Sequence, residues 1–225
     1  MTGGSWARAA AQFPYLLQVL LLGVEMTIIV TLGGFIVSFI LGLLGAVLRT
    51  SRFRAFRFIG TLYVDVFRAV PVLTQLFIIY FGLAELGVKL SPIPAAIIGF
   101  GINGGAYLTE VFRAGIEAIH RGQAEAAYSI GMTRLQALRI IILPQALRVI
   151  LPPLGNFAIG LLKDTSIASS VAAPELTFRA RMLVDQTYLS TQIYLMVAVL
   201  YLMMSLPLSH LVNRLERRRA RERPA

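Results

Sequence analysis

A chain of 225 residues, 57% hydrophobic and only 14% charged, with a mean hydropathy of +0.74, has too little charge to cover itself in water. A soluble domain uses about 25% charged residues for that purpose, so part of this chain's solvent is lipid. The net charge of +10 comes from Arg at every basic position except Lys89 and Lys163, and cysteine is absent, which excludes disulfides, thiolate metal sites and cysteine nucleophiles.

A membrane helix needs about 20 mostly apolar residues. Residues 16–48 carry one charge, Glu25, and predict the first span. Residues 58–84 predict the second, with Asp65 and Arg68 early in it and Pro71 soon after. Residues 90–109 are uncharged and predict the third. Residues 149–162 are the weakest run, bordered by Arg148 and by Lys163-Asp164. Residues 186–213 predict the fifth.

The loops set the orientation. Arg49, Arg52, Arg54 and Arg57 follow span one, and Glu85 and Lys89 cancel after span two. Arg113, Arg121, Arg134 and Arg139 follow span three. After span four, Lys163, Arg179 and Arg181 balance Asp164, Glu175 and Asp185; Arg214, Arg217, Arg218, Arg219, Arg221 and Arg223 follow span five. Basic and balanced loops alternate, and basic loops stay cytoplasmic, so the expectation is an external N-terminus and an internal C-terminus. The basic tail is expected to anchor on anionic headgroups, with no nucleic-acid partner. The chain reads as one transmembrane domain over residues 1–225, its largest cytoplasmic loop at about residues 114–146; a soluble ATPase or ligand-catching domain is expected on separate chains.

Within that loop, Arg121-Gly-Gln-Ala-Glu-Ala-Ala-Tyr-Ser-Ile-Gly131-Met132 predicts a helix over residues 123–130 that Gly131 ends. Two turns are too short to be stable alone, so the helix needs a groove to dock in. Ala124, Ala127 and Tyr128 share one face at helical spacing, suited to close approach by a partner. Pro144 is expected to break or kink the helix leading into span four.

Glu125-Ala126-Ala127, Gly131 and Ile142-Leu143-Pro144 resemble the loop that marks the integral membrane subunits of ABC importers. Phe67-Arg68-Ala69-Val70-Pro71-Val72-Leu73-Thr74-Gln75, Tyr107 to Ile116, Pro152-Pro153, Asn156, Leu162-Lys-Asp-Thr-Ser-Ile167 and Glu175-Leu176 are similar to segments of polar amino acid permeases of the histidine/glutamine/arginine type. The likeness covers roughly residues 15–215. It departs at Ser170-Val-Ala-Ala-Pro174 and at Ala114, and leaves the particular amino acid, and a homodimer or heterodimer, open.

The resemblance implies an all-α integral membrane fold of the type I ABC importer permease kind, with five transmembrane helices, in the bacterial inner membrane. It implies a non-catalytic permease subunit of an ATP-driven amino acid importer, working by alternating access. The partners would be a second permease subunit, two ATP-binding subunits and an extracytoplasmic amino acid binding protein. ATP and Mg would be held by the ATPase, so no cofactor is expected in this chain. The ATPase would dock on Gln123, Ala124, Glu125, Ala126, Ala127, Tyr128, Gly131 and Met132. The alternatives are an ATP-independent channel or secondary transporter for small polar solutes, and a scaffold with no pathway.

Polar groups in lipid need protein partners or a pathway to face. The pathway candidates are Arg68, Pro71, Gln75, Asn103, Tyr107, Asn156, Lys163, Asp164, Thr165 and Ser166. Asp65 and Arg68 can pair at a three-residue spacing, as can Glu110 and Arg113. Gln75 and Asn103 suit either an amino acid's charged ends or interhelical hydrogen bonds. Gly99-Phe-Gly101-Ile-Asn-Gly104 fits a dinucleotide-binding pattern but lies in an apolar run with no strand before it. Gly101 and Gly105 instead form a small face for close packing, a candidate dimer contact. Only His120 and His210 are present, without ligand spacing to carboxylates, so neither a metal site nor an enzyme is indicated.

Overall fold

Long uncharged runs satisfy their backbone groups only by closing them into helices. The computed structural model describes residues 3–221, with side chains over residues 4–214, and the described chain has no strand. The Arg-rich tail past Arg214, expected as a headgroup anchor, lies outside the described side chains.

The first helix, α1, runs Gly3–Arg49 without a break. Its 47 residues reach roughly 70 Å at 1.5 Å each, more than twice the hydrocarbon thickness, so the expected span is only part of it. All three buried clusters draw on α1: Leu16 and Leu20 in the first, Val30 in the second, Ala46 in the third.

The second expected span is two helices. α2 (Arg54–Ala69) and α3 (Val72–Phe77, continued by a π-turn Ile78–Gly82 and by Leu83–Glu85) meet at 102°. Pro71 causes the break: it lacks an N–H and forces Val70 into extended backbone, at φ −89 and ψ 130.

α4 spans Pro92–Glu117 and lies parallel to α1. Gly33, Gly42 and Gly45 of α1 meet Ile97, Leu108 and Thr109 of α4 in register. At Gly45 the approach is so close that a Cβ would lie 2.1 Å from Thr109 Oγ1. Gly101 packs on Val37, and Gly105 on Leu41 and Tyr63, so the small face expected at a dimer contact is used inside the chain.

After α5 (Arg121–Ser129) the chain forms one long helical stretch, Arg134–Val171. It holds a π-helix Ala137–Ile142, α6 (Leu143–Asp164) and a 3-10 turn Thr165–Val171. Pro144 does not break it. The helix widens to π just before the proline, which then occupies the first turn of α6, where no N–H is required. The weak run over residues 149–162 is thus the middle of a longer helix. α7 (Leu176–Thr187) packs against the N-terminal half of α1, and α8 (Ser190–Arg221) starts in the same cluster and runs along α6, with Val212 against Gly155. Among the described residues, four helices are long and apolar enough to cross a membrane, or five if the bent α2–α3 pair counts as one.

Candidate functional site

Two regions carry the polar chemistry. The first is the α5 loop. His120 Nδ1 accepts the Gly122 N–H at 3.1 Å and caps α5 at its start. Gly131, at φ +83, closes the other end, with its N–H on Tyr128 O and the Met132 N–H on Ala127 O. A Thr133–Gln136 capping box restarts the helix at once.

The orientation of α5 corrects one expectation. Ala127 is buried and Ala124 half-buried, so the small face seats α5 on its own chain. Gln145 Nε2 donates to Gln123 Oε1 at 3.2 Å and ties α5 to the start of α6. Glu125, Ala126, Tyr128, Ser129 and Ile130 remain outward. A cavity of about 460 Å³ lies behind the helix, between Ile116, His120, Ala124 and Ile142.

Four charges run from α1 toward this loop. Glu110 Oε1 takes Arg49 Nη1, and Glu110 Oε2 takes Arg113 Nε and Nη2 at 3.1 and 2.8 Å. Arg113 Nη1 reaches Glu117 Oε2 at 2.5 Å. The expected Glu110–Arg113 pair is present, with Arg49 and Glu117 as further members. The expected Asp65–Arg68 pair is not formed; Arg68 instead lies 5.0 Å over the Tyr107 ring.

The second region surrounds the Pro71 break. With no N–H at Pro71, the Phe67 carbonyl loses its helical donor. Gln75 Nε2 donates to Phe67 O at 2.9 Å and to Val70 O at 2.7 Å, and Asn103 Nδ2 donates to Phe67 O at 2.8 Å. Both amides therefore make the interhelical bonds that were one of their two readings. Gln75 is buried, and its Oε1 has no hydrogen-bond partner among the described residues. Arg68, Tyr107, Asn156, Lys163 and Asp164 are exposed, whereas Thr165 is buried and donates to Leu162 O at 2.8 Å. Ser166 is half-buried.

In the sequence Glu175 stands as a loop charge and as part of a likeness, without a structural role. The structure buries it fully as the N-cap of α7, accepting the Thr177 and Phe178 N–H groups at 2.8 Å each. The Tyr201 hydroxyl of α8 donates to it at 3.2 Å, and the Leu176 N–H donates to Thr27 Oγ1 of α1. An acid immediately before a helix was the available signal. Burial pushes this carboxyl up to about 7.

Apolar spans, a helix interrupted at a polar break and a capped two-turn helix outside the spans together define an integral membrane transport component. The chain belongs to the family of binding-protein-dependent transport system inner membrane components, which matches residues 38–221. It is 40% identical over 181 residues to the probable glutamine ABC transporter permease protein GlnM of Bacillus subtilis, covering 80% of this chain and 84% of that protein. It is 35% identical over 215 residues to the glutamine transport system permease protein GlnP of Escherichia coli, covering 95% and 96%. Among solved structures, a chain in the crystal structure of an amino acid ABC transporter with histidines superimposes at a TM-score of 0.88 with 35% identity, covering 93% of this chain and 97% of that one. The fold is that of an ABC transporter permease, and the protein is a multi-pass inner-membrane component.

Proposed function

We propose that the chain is the membrane-spanning subunit of an ATP-driven importer for polar amino acids, and that α5 is where a separate ATPase engages it. The observation that carries this reading is α5 itself. It is capped at both ends and seated by Ala127, and it turns Glu125, Ala126 and Tyr128 outward, in the loop whose basic charge is expected on the cytoplasmic side. A helix of two turns is held in this way only by its neighbours, so a load on its outer face passes straight into α4 and α6.

In this reading two ATPase subunits dock on the α5 helices of two permease subunits, since one bundle supplies half of a symmetric pathway. ATP binding closes the ATPase pair and moves the permeases from inward-facing to outward-facing; hydrolysis resets them. A separate binding protein delivers the amino acid to the α7 side. Nucleotide and Mg stay on the ATPase, and this chain performs no covalent chemistry. The exposed Arg68, stacked on Tyr107 beside the Pro71 break, supplies a cation for the substrate carboxylate, and Asn156 and residues 163–166 line the route outward. The relatives named for glutamine support an amino acid cargo.

Co-purification tests the docking. Glu125→Lys reverses the outward charge, and Gly131→Arg places a side chain at φ +83, where it is strained. Each is expected to abolish capture of the ATPase. Full capture by both variants defeats the reading.

A further inference from the structure

The ion pairs at the cytoplasmic end form an alternating ladder, Arg49, Glu110, Arg113 and Glu117, with no net charge. Glu110 is its centre, with one carboxylate oxygen on α1 and the other on its own helix. Arg49 and Glu110 are each only about one-fifth exposed, at 22% and 21%, so their pairing is less screened than a surface pair. The far end of the ladder, Glu117, is the last residue of α4, and three residues later His120 caps α5. Ile116 and Ile119 on the same segment pack on the cluster that contains Ala46 of α1. Just above the ladder, Gly45 lets α1 and Thr109 of α4 approach closely.

The load path is therefore continuous. A displacement of α5 moves the end of α4 through the short link 118–120 and the packing of Ile116 and Ile119, and Glu110 carries that displacement across to the last residue of α1. We propose that Glu110, held between Arg49 and Arg113, is a positioning residue that makes α1 travel with the coupling helix, so that ATPase closure is converted into movement of the whole α1–α4 pair. It touches neither substrate nor nucleotide. The inference rests on the docking of the ATPase at α5.

The test uses the complete complex, with ATPase and binding protein, in proteoliposomes, reading uptake and ATP hydrolysis together. Arg49→Gln removes the interhelical rung. Arg49→Lys keeps a cation that can reach Glu110 Oε1 from the same position. Arg49→Gln is expected to keep ATP hydrolysis while transport per ATP falls about fivefold or more, the lower range of a coupling free energy. Arg49→Lys is expected to restore most of that ratio. An unchanged ratio in Arg49→Gln overturns the proposal, as does a lysine variant as uncoupled as the glutamine one.

A second measurement needs no change in the ladder. The chain has no cysteine, so Thr50→Cys and Arg121→Cys, outside the docking residues 123–132, place a unique spin-label pair in each subunit. The intrasubunit distance is expected to stay constant between nucleotide-free and ATP-bound complexes. A distance that changes with nucleotide in the intact ladder overturns the proposal. If the unmodified chain fails to capture the ATPase at all, the docking reading falls and this inference with it.

Discussion

Gln75 and Asn103 donate to the same acceptor, the carbonyl oxygen of Phe67, at 2.9 and 2.8 Å. That oxygen is the one Pro71 leaves without a helical partner. The two amides come from different helices, Gln75 from α3 just past the break and Asn103 from the neighbouring α4. They hold a 102° bend by serving a carbonyl that the helix itself cannot.

Removing the two amides should have unequal effects. Gln75 serves both Phe67 O and Val70 O, and Asn103 serves only the first. Gln75→Leu strands Val70 O and weakens the hold on Phe67 O, whereas Asn103→Leu leaves Phe67 O still bonded. An unsatisfied buried polar group costs about 1–3 kcal/mol, and membrane interhelical bonds average about 0.6 kcal/mol. The thermal midpoint in detergent should therefore fall clearly for Gln75→Leu and little for Asn103→Leu. The reverse order would show that the bend does not depend on this clasp.

The closest approach of α1 and α4 sets a second expectation. A Cβ at Gly45 lies 2.1 Å from Thr109 Oγ1, and Thr109 is fully buried with its hydroxyl on Gly105 O. Gly45→Leu must push the helices apart, an overpacking change of about 1–3 kcal/mol or more. Gly4→Leu, with nothing within 4 Å, serves as the neutral comparison. The yield of monodisperse protein in size-exclusion chromatography should drop for Gly45→Leu alone. Equal yields would mean that the contact yields without cost.

These details separate what the sequence could and could not reveal. Apolar length made the spans readable, and helical spacing made Glu110–Arg113 readable. Arg49 was not, because it reaches Glu110 across 61 positions of sequence. Asp65 and Arg68 satisfied the same spacing rule and do not pair, because Arg68 finds the Tyr107 ring of α4 instead. Pro71 marked a lost N–H within the second span but not the 102° bend, whose size depends on which side chains take up the freed carbonyls. Pro144 signalled a break that a π-helix absorbed, a backbone adjustment with no sequence period of its own. In α5 the alanine face was visible, but not whether it met a partner or its own chain.

Glu175 predicts a pH dependence. Burial raises its carboxyl to about 7, against the opposing pull of the Thr177 and Phe178 N–H groups and the Tyr201 hydroxyl. Its folded value lies above its ordinary value of 4.5, so the stabilisation linked to its protonation is complete below that value and is lost as pH rises through about 7. Thermal stability should fall from about pH 5 to about pH 8 through the loosening of α7 from Thr27 and Tyr201. Glu175→Gln keeps an oxygen for one of the two N–H donors and cannot ionise. That variant should lose this part of the pH slope and be the more stable one at the alkaline end. Identical slopes for the two proteins would remove Glu175 as the cause.

Arg68 gives the sharpest test of the pathway. Its guanidinium stacks over Tyr107, and no acid pairs with it among the described residues. A planar cation held over a ring face, with no acid on it, keeps its N–H fork available for a carboxylate, which lysine cannot grip in the same bidentate way. Arg68→Lys should therefore behave much like Arg68→Ala. Each should lower uptake on the order of tenfold, since a hydrogen bond to a charged group contributes about 1.5–3 kcal/mol. Tyr107→Phe retains the ring and should transport normally, while Tyr107→Leu removes the platform and should fall between. Capture of the ATPase should be unchanged in all four, because α5 is untouched. If Arg68→Lys transports at the rate of the unmodified chain, the site needs only a positive charge, and the stacked fork is not what reads the substrate.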